Sequence, residues 1–227
     1  MNLKEWFPLY SEICNSLSID PVSDFIASVR LSSMIGPRNI DIPEEFKDRE
    51  VSIFGPSLNI REATGRNDLT IVADSGIEKF LSIYRRNPDI IVTDLDGGIP
   101  LIKRCNEEGT FLFLHVHGDN MHLVREFVPN LNANFICTTQ NFPLHNVMNY
   151  YGFTDGDRAV FISMAMKASS VTIHGFDFCS PVIKPSIDLE RKKKKLKIAS
   201  SLVSMADREM KSRGLSGVRF FDNNVRV

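Results

Sequence analysis

Six short apolar runs dictate most of what this chain can fold into. VSIF (51–54), TIVA (70–73), DIIVT (89–93), TFLFL (110–114), NFICTT (134–139) and SVTIH (170–174) are rich in β-branched and aromatic residues and, SVTIH apart, show no regular polar alternation. Runs of that kind suit strands buried on both faces, as happens when helices cover both sides of a parallel sheet. Amphipathic stretches at 76–86, 100–108, 121–127 and 156–168 lie between several of them. Strands alternating with helices imply crossover connections and a mainly parallel sheet. A last helix is expected at 191–213, followed by VRFF (218–221) as a candidate edge strand. The expected fold is α/β, a three-layer Rossmann-like mainly parallel sheet.

Residues 1–48 lack strand-like runs. Trp6, Phe7, Leu9, Tyr10, Ile13 and Leu17 recur at helical spacing, so this segment reads as an N-terminal helical appendage, with residues 49–227 as the α/β catalytic domain. With 27 basic and 28 acidic residues the formal net charge is -1. No global field therefore recruits nucleic acid or an anionic membrane, and an anionic ligand needs a local site. Cys14, Cys105, Cys137 and Cys179 form no CxxC pair, which points to reduced thiols rather than a zinc ribbon or a disulfide framework. The opening MNLKEWFPLY has neither the basic start nor the apolar stretch of a secretory signal, and no run is long enough to span a bilayer. The expectation is a cytoplasmic protein.

Ligands of open parallel sheets bind at the carboxyl ends of the strands, and here nearly every strand delivers small or acidic residues to that edge. The stretch NPDIIVTDLDGGIP brings Asp94 and Asp96 out of a buried strand together. Two carboxylates one residue apart repel each other and lose solvation, a cost that a magnesium ion bound with substrate phosphates offsets. A plain DLDGG turn would also use these residue types. HVHGDN (115–120) follows the next strand, and Asp119 meets Asp94 and Asp96 if those strands are neighbours. The same HxHxD pattern opens zinc hydrolase sites, although Asn120 stands where a further histidine is usual. A strand followed by DxDG also opens haloacid-dehalogenase-type phosphatases, which normally have Thr or Val where this chain has Gly98.

GFTDGDRA (152–159) precedes a helical run. Thr154 or Asp155 suits a helix cap, and Asp157 lies near the positive end of the dipole. The helix start with Arg158 could also hold an anion. Gly55-Pro56-Ser57 is no dinucleotide fingerprint, yet a small-residue strand exit admits phosphate or ribose. The run Lys192 to Lys195 reads as a solvated helix start that could reach a nearby phosphate.

In order, ADSG, NPDIIVTDLDG, HVHGDN, GFTDGDRA and GFDF resemble the archaeal 6-hydroxymethyl-7,8-dihydropterin pyrophosphokinase family, itself similar to the catalytic domain of thiamine pyrophosphokinase. The resemblance runs from about Val51 to the C-terminus. It implies an enzyme in which ATP donates an intact diphosphate to the hydroxymethyl group of a reduced pterin, releasing AMP, as in pterin cofactor biosynthesis. It further implies that Asp94, Asp96 and Asp119 bind magnesium and act in catalysis. Asp74 and the Ser75-Gly76 backbone would lie beside nucleotide or phosphates, and Asp155, Asp157 and Arg158 would complete the substrate side. Small residues are expected near position 145 and at position 151, where this chain has His145 and Tyr151. Open alternatives are a thiamine pyrophosphokinase-like enzyme for another alcohol, a phosphatase, and a non-catalytic nucleotide-binding module. A homodimer is a further expectation.

Overall fold

A computed structural model describes residues 1–38, 41–59, 68–132, 134–178 and 188–221. Cys179 lies outside the described residues. In chain order the elements are α1 (Leu3–Leu17), α2 (Pro21–Ile35), β1 (Glu50–Phe54), β2 (Leu69–Ala73), α3 (Ile77–Tyr84), β3 (Ile90–Thr93), α4 (Ile99–Glu107), β4 (Phe111–Val116), α5 (Met121–Phe127), β5 (Phe135–Thr139), β6 (Val147–Met148), α6 (Asp155–Ala165), β7 (Ser170–His174), α7 (Leu189–Ser212) and β8 (Val218–Phe220). All six expected strands form, and VRFF supplies the edge strand β8. The two-residue strand β6 was not foreseen.

Among the described residues the strands make one sheet in the order β6-β5-β4-β3-β2-β1-β7-β8, and every pairing is parallel. Successive strand residues face opposite sides, so each continuous apolar run feeds two cores. Ile53, Ile71 and Ile90 enter one core with α1, α6 and α7. Phe54, Val72 and Ile91 enter the other with α2, α3, α4 and α5. This is the expected three-layer arrangement.

The N-terminal helices are parts of those two cores. Helix α1 is started by a capping box between Asn2 and Glu5 and buries Trp6, Tyr10, Ile13, Cys14 and Leu17. Ser18 ends it in the left-handed conformation, and Asp20 then caps α2, with Pro21 in its first turn. Helix α2 buries Asp24, Ala27, Ser28 and Leu31, the i, i+3, i+4, i+7 stripe of an amphipathic helix. Because α1 packs on one face of the sheet and α2 on the other, residues 18–20 cross its edge. Trp6 Nε1 donates to the Gln140 carbonyl just beyond β5 at 2.7 Å, and α2 packs against the Gly118–Asn120 turn just beyond β4. The crossing therefore lies at the carboxyl ends of β4 and β5.

Candidate active site

Strand register builds the acidic centre. Ala73 pairs with Val92, so the next residues, Asp74 and Thr93, leave β2 and β3 side by side. Thr93 Oγ1 donates to Asp74 Oδ1 and accepts the Leu95 N–H at 2.9 Å. The Asp96 N–H donates to Asp94 Oδ1 at 3.1 Å. Leu95, between the two aspartates, is only 1 % exposed and holds φ at 66°, a left-handed backbone that costs about 1–2 kcal/mol for a residue with a Cβ. The result is a trio, Asp74, Asp94 and Asp96, with ligand oxygens within 4.8 Å of one another.

This trio differs from the expected set of Asp94, Asp96 and Asp119. Thr93 pairs with Leu114, which brings His115 level with Asp94, whereas Asp119 follows, itself exposed, on the Gly118–Asn120 turn. Asp119 lines the adjoining cavity instead. The trio suits a hard cation. All donors are carboxylate oxygens, and Asp74 Oδ2 is buried without a hydrogen bond, an atom whose desolvation a bound cation would offset. Burial, reinforced by the Asp94 charge, lifts the Asp74 carboxyl to about 8. Burial acts upward on Asp94 too, but His117 and Arg158 outweigh it and hold Asp94 below its ordinary value. His117 Nε2 lies 3.5 Å from Asp94 Oδ2.

The two acids at the start of α6 separate into different tasks. Asp157 is 0 % exposed, and its carboxylate accepts from the N–H groups of Phe153 at 2.6 Å and Thr154 at 2.8 Å and from the Thr154 hydroxyl. It closes a capping box, the helix-cap reading that its place in the sequence also suggested. Asp155 instead pairs with Arg158 Nη1 at 2.9 Å. Burial, then the Asp94 charge, raises Asp155 well above the usual carboxylate range despite Arg158. Arg158 also donates to the Phe153 carbonyl at 3.1 Å, and its Nε has no partner.

On the opposite side of the trio, Gly76 abuts the exit of β1. A Cβ on Gly76 would come within 3.0 Å of the Phe54 carbonyl oxygen and 3.1 Å of Gly55. The Ser57 N–H donates to the Gly175 carbonyl at 2.8 Å, joining the exits of β1 and β7, where the strand order reverses. Ser75 is exposed beside Asp74. Gly55, Ser57, Asp74, Ser75 and Gly76 are thus one continuous edge.

A cavity of about 440 Å³ opens from Asp94 towards β4 and β5. Its walls include His115, His117, Asp119, Gln140, Phe153 and the crossing residues 18–20, with Arg191 and Lys195 of α7 opposite. Asp24 was not foreseen. It is 2 % exposed, and its carboxylate accepts from the Gly118 N–H at 2.8 Å, Gln140 Nε2 at 2.5 Å and the Tyr10 hydroxyl at 2.6 Å. The available signal was its place on the buried stripe with Ala27, Ser28 and Leu31. His145 and Tyr151 are not among the cavity walls. His145 is exposed. Tyr151 holds φ at 67°, where a glycine would be unstrained, and its ring packs against Trp6 and Phe161.

Fold and site together define a Rossmann-like α/β protein with a cluster of three carboxylates at the carboxyl edge of a parallel sheet. Residues 31–182 match a family model described as 6-hydroxymethylpterin diphosphokinase MptE-like, and the chain belongs to that family. A protein of Methanocaldococcus jannaschii named 6-hydroxymethyl-7,8-dihydropterin pyrophosphokinase is 35% identical, across 90% of this chain and 95% of its own. Proteins of the same name from Pyrococcus furiosus and Methanothermobacter thermautotrophicus are 35% and 31% identical, across 89% and 92% of this chain and 93% and 96% of theirs. The similarity therefore extends beyond the α/β part into the N-terminal helices.

Proposed function

We propose that the protein transfers a diphosphate from ATP to 6-hydroxymethyl-7,8-dihydropterin, giving AMP and the pterin diphosphate, within a pathway to a pterin cofactor. The observation that carries this reading is the Asp74, Asp94 and Asp96 trio, with its unpaired Asp74 Oδ2, in a chain that belongs to a pterin diphosphokinase family. A lone adenine-binding module has no use for three clustered carboxylates.

In this reading the trio holds magnesium, which when bound neutralises phosphate charge and fixes the in-line geometry of transfer. Thr93 keeps Asp74 oriented. The donor nucleotide lies along Gly55, Ser57, Ser75 and Gly76. The pterin alcohol oxygen bonds to the β-phosphorus as the bond from that phosphorus to the α,β-bridging oxygen breaks, and that oxygen leaves on AMP. Asp119, exposed beside the cavity, is the candidate acceptor for the alcohol proton. Arg158, steadied by Asp155, adds positive charge near Asp94. Positioning and electrostatics supply most of the acceleration.

We also read the protein as cytoplasmic and without nucleic-acid or membrane partners. Its described free cysteines, Cys14, Cys105 and Cys137, are buried thiols, and no helix among the described residues is long and apolar enough to cross a membrane. A homodimer is supported by Val22, Phe25, Ile26 and Val29, which are 38–61 % exposed along one stripe of α2. A second copy of that stripe is the simplest cover for it.

The functional test is incubation with ATP, magnesium and a panel of alcohols, with nucleotide products resolved. AMP with a pterin diphosphate is expected. ADP would mean an ordinary kinase, and phosphate released from a monoester, with a trapped aspartyl phosphate, a phosphatase. Zinc-only activity abolished by His117→Ala but not by Asp94→Asn would mean a zinc hydrolase.

A further inference from the structure

The trio stands between two unlike regions of the sheet edge. On the β1 and β7 side lie Gly55, Ser57 and Gly76, close-packed backbone with little side chain. On the β4 and β5 side lies the cavity crossed by residues 18–20, with Asp94 in its wall. A donor along the first and an acceptor in the second would meet at the trio from opposite directions, which suits in-line transfer.

The cavity floor carries defined hydrogen-bonding chemistry. His115 is 1 % exposed and its Nε2 has no hydrogen bond, although His115 lines the cavity. Its Nδ1 lies 3.1 Å from Thr138 Oγ1, and that hydroxyl donates to the Leu114 carbonyl at 3.5 Å. Nδ1 and that hydroxyl share one proton, and Nε2 is the ring nitrogen left to meet a ligand. Gln140 is oriented by Asp24, which takes its Nε2 hydrogen, so Oε1 is the amide atom left to accept. Burial, with Arg158 and His117 adding to it, keeps His115 neutral at pH 7. A ring nitrogen and an amide on one floor match the polar edge of a heterocycle that carries N–H, amino and carbonyl groups side by side. Phe153 supplies an apolar wall, with Lys195 Nζ 5.8 Å from its ring centre, and Arg191, held by the Leu17 carbonyl at 2.7 Å, adds a second cation for a diphosphate product.

We propose that this cavity is the acceptor pocket, in which His115 and Gln140 read the amino-pyrimidinone edge of the heterocycle and the α1 to α2 crossing forms its roof. The proposal rests on the pterin reading above and goes beyond it by assigning the residues that select the alcohol. It makes the N-terminal segment part of the substrate site.

The test uses the full chain and 6-hydroxymethylpterin, the oxidised fluorescent analogue, titrated without ATP. Magnesium-ATP affinity is measured separately as the control for folding. His115→Phe and Gln140→Leu should each weaken pterin binding at least tenfold while ATP affinity stays within twofold, since an unmade hydrogen bond in a polar-edged pocket discriminates strongly. Unchanged pterin affinity in both variants would overturn the proposal. So would loss of ATP affinity with pterin binding intact, which would make the cavity a nucleotide site. Wild-type protein that binds magnesium-ATP but no pterin would sink the functional reading itself, and the pocket with it.

Discussion

Asp24 Oδ1 accepts the backbone N–H of Gly118 at 2.8 Å, tying a helix that precedes the sheet to the turn that leaves its fourth strand. The same carboxylate holds Tyr10 and Gln140. Asp24→Asn turns an amide N–H₂ towards groups that themselves donate, and should destabilise the fold by roughly 2–3 kcal/mol in urea unfolding. Tyr10→Phe, which removes one donor only, should cost about 1 kcal/mol. Equal and negligible effects would mean that the N-terminal helices sit loosely on the sheet.

The metal-free protein should lose stability as pH rises. Asp74 ionises near 4 in the unfolded chain but is lifted to about 8 in the fold, by burial and then by Asp94. Between those values the folded state binds the extra proton, so stability falls from about pH 4 to pH 8 and stays low above it, by a few kcal/mol. Asp74→Asn should flatten this slope relative to wild type. Magnesium should raise the thermal midpoint more at pH 8.5 than at pH 6, because it competes with that proton. Parallel pH profiles for wild type and Asp74→Asn would contradict the assignment.

Two acids two residues apart should behave differently. Asp157→Asn weakens a helix cap and should cost about 1–2 kcal/mol of stability with turnover little changed. Asp155→Asn leaves that cap intact and frees Arg158, so its effect should fall on turnover. The reverse pattern, read from thermal midpoints and AMP release, would return Asp157 to the ligand.

Phe25→Glu on the exposed stripe of α2 should convert a dimer to a monomer in light scattering without loss of secondary structure. A wild-type protein that is already monomeric would remove the dimer.

The fold was legible because Ile53 with Phe54, Ile71 with Val72 and Ile90 with Ile91 are neighbouring apolar residues, which only a doubly covered strand buries in full. The acidic trio was legible in part. Asp94 and Asp96 stand out within one stretch, but Asp74 joins them through the pairing of Ala73 with Val92, and register is a long-range property that local pattern does not carry. The same limit hid that the pairing of Thr93 with Leu114 brings His115 level with Asp94, with Asp119 further along on the turn. The role of residues 18–20 was hidden because spacing reveals a helix's apolar face, not which side of the sheet it will cover. Asp24 lies on such a face, where an acid reads as an exception until its three donors are known.

The most direct test of the trio is AMP release by Asp94→Asn with magnesium-ATP and 6-hydroxymethyl-7,8-dihydropterin, beside Asp96→Asn and wild type. Each substitution keeps side-chain size and removes one charge, so folding should persist. Turnover should fall by roughly two orders of magnitude or more, as loss of electrostatic stabilisation at a transferring group commonly causes. AMP release near the wild-type rate from folded Asp94→Asn would contradict the account, because Asp94 and Asp96 would then be residues of a turn and the diphosphate would be handled elsewhere.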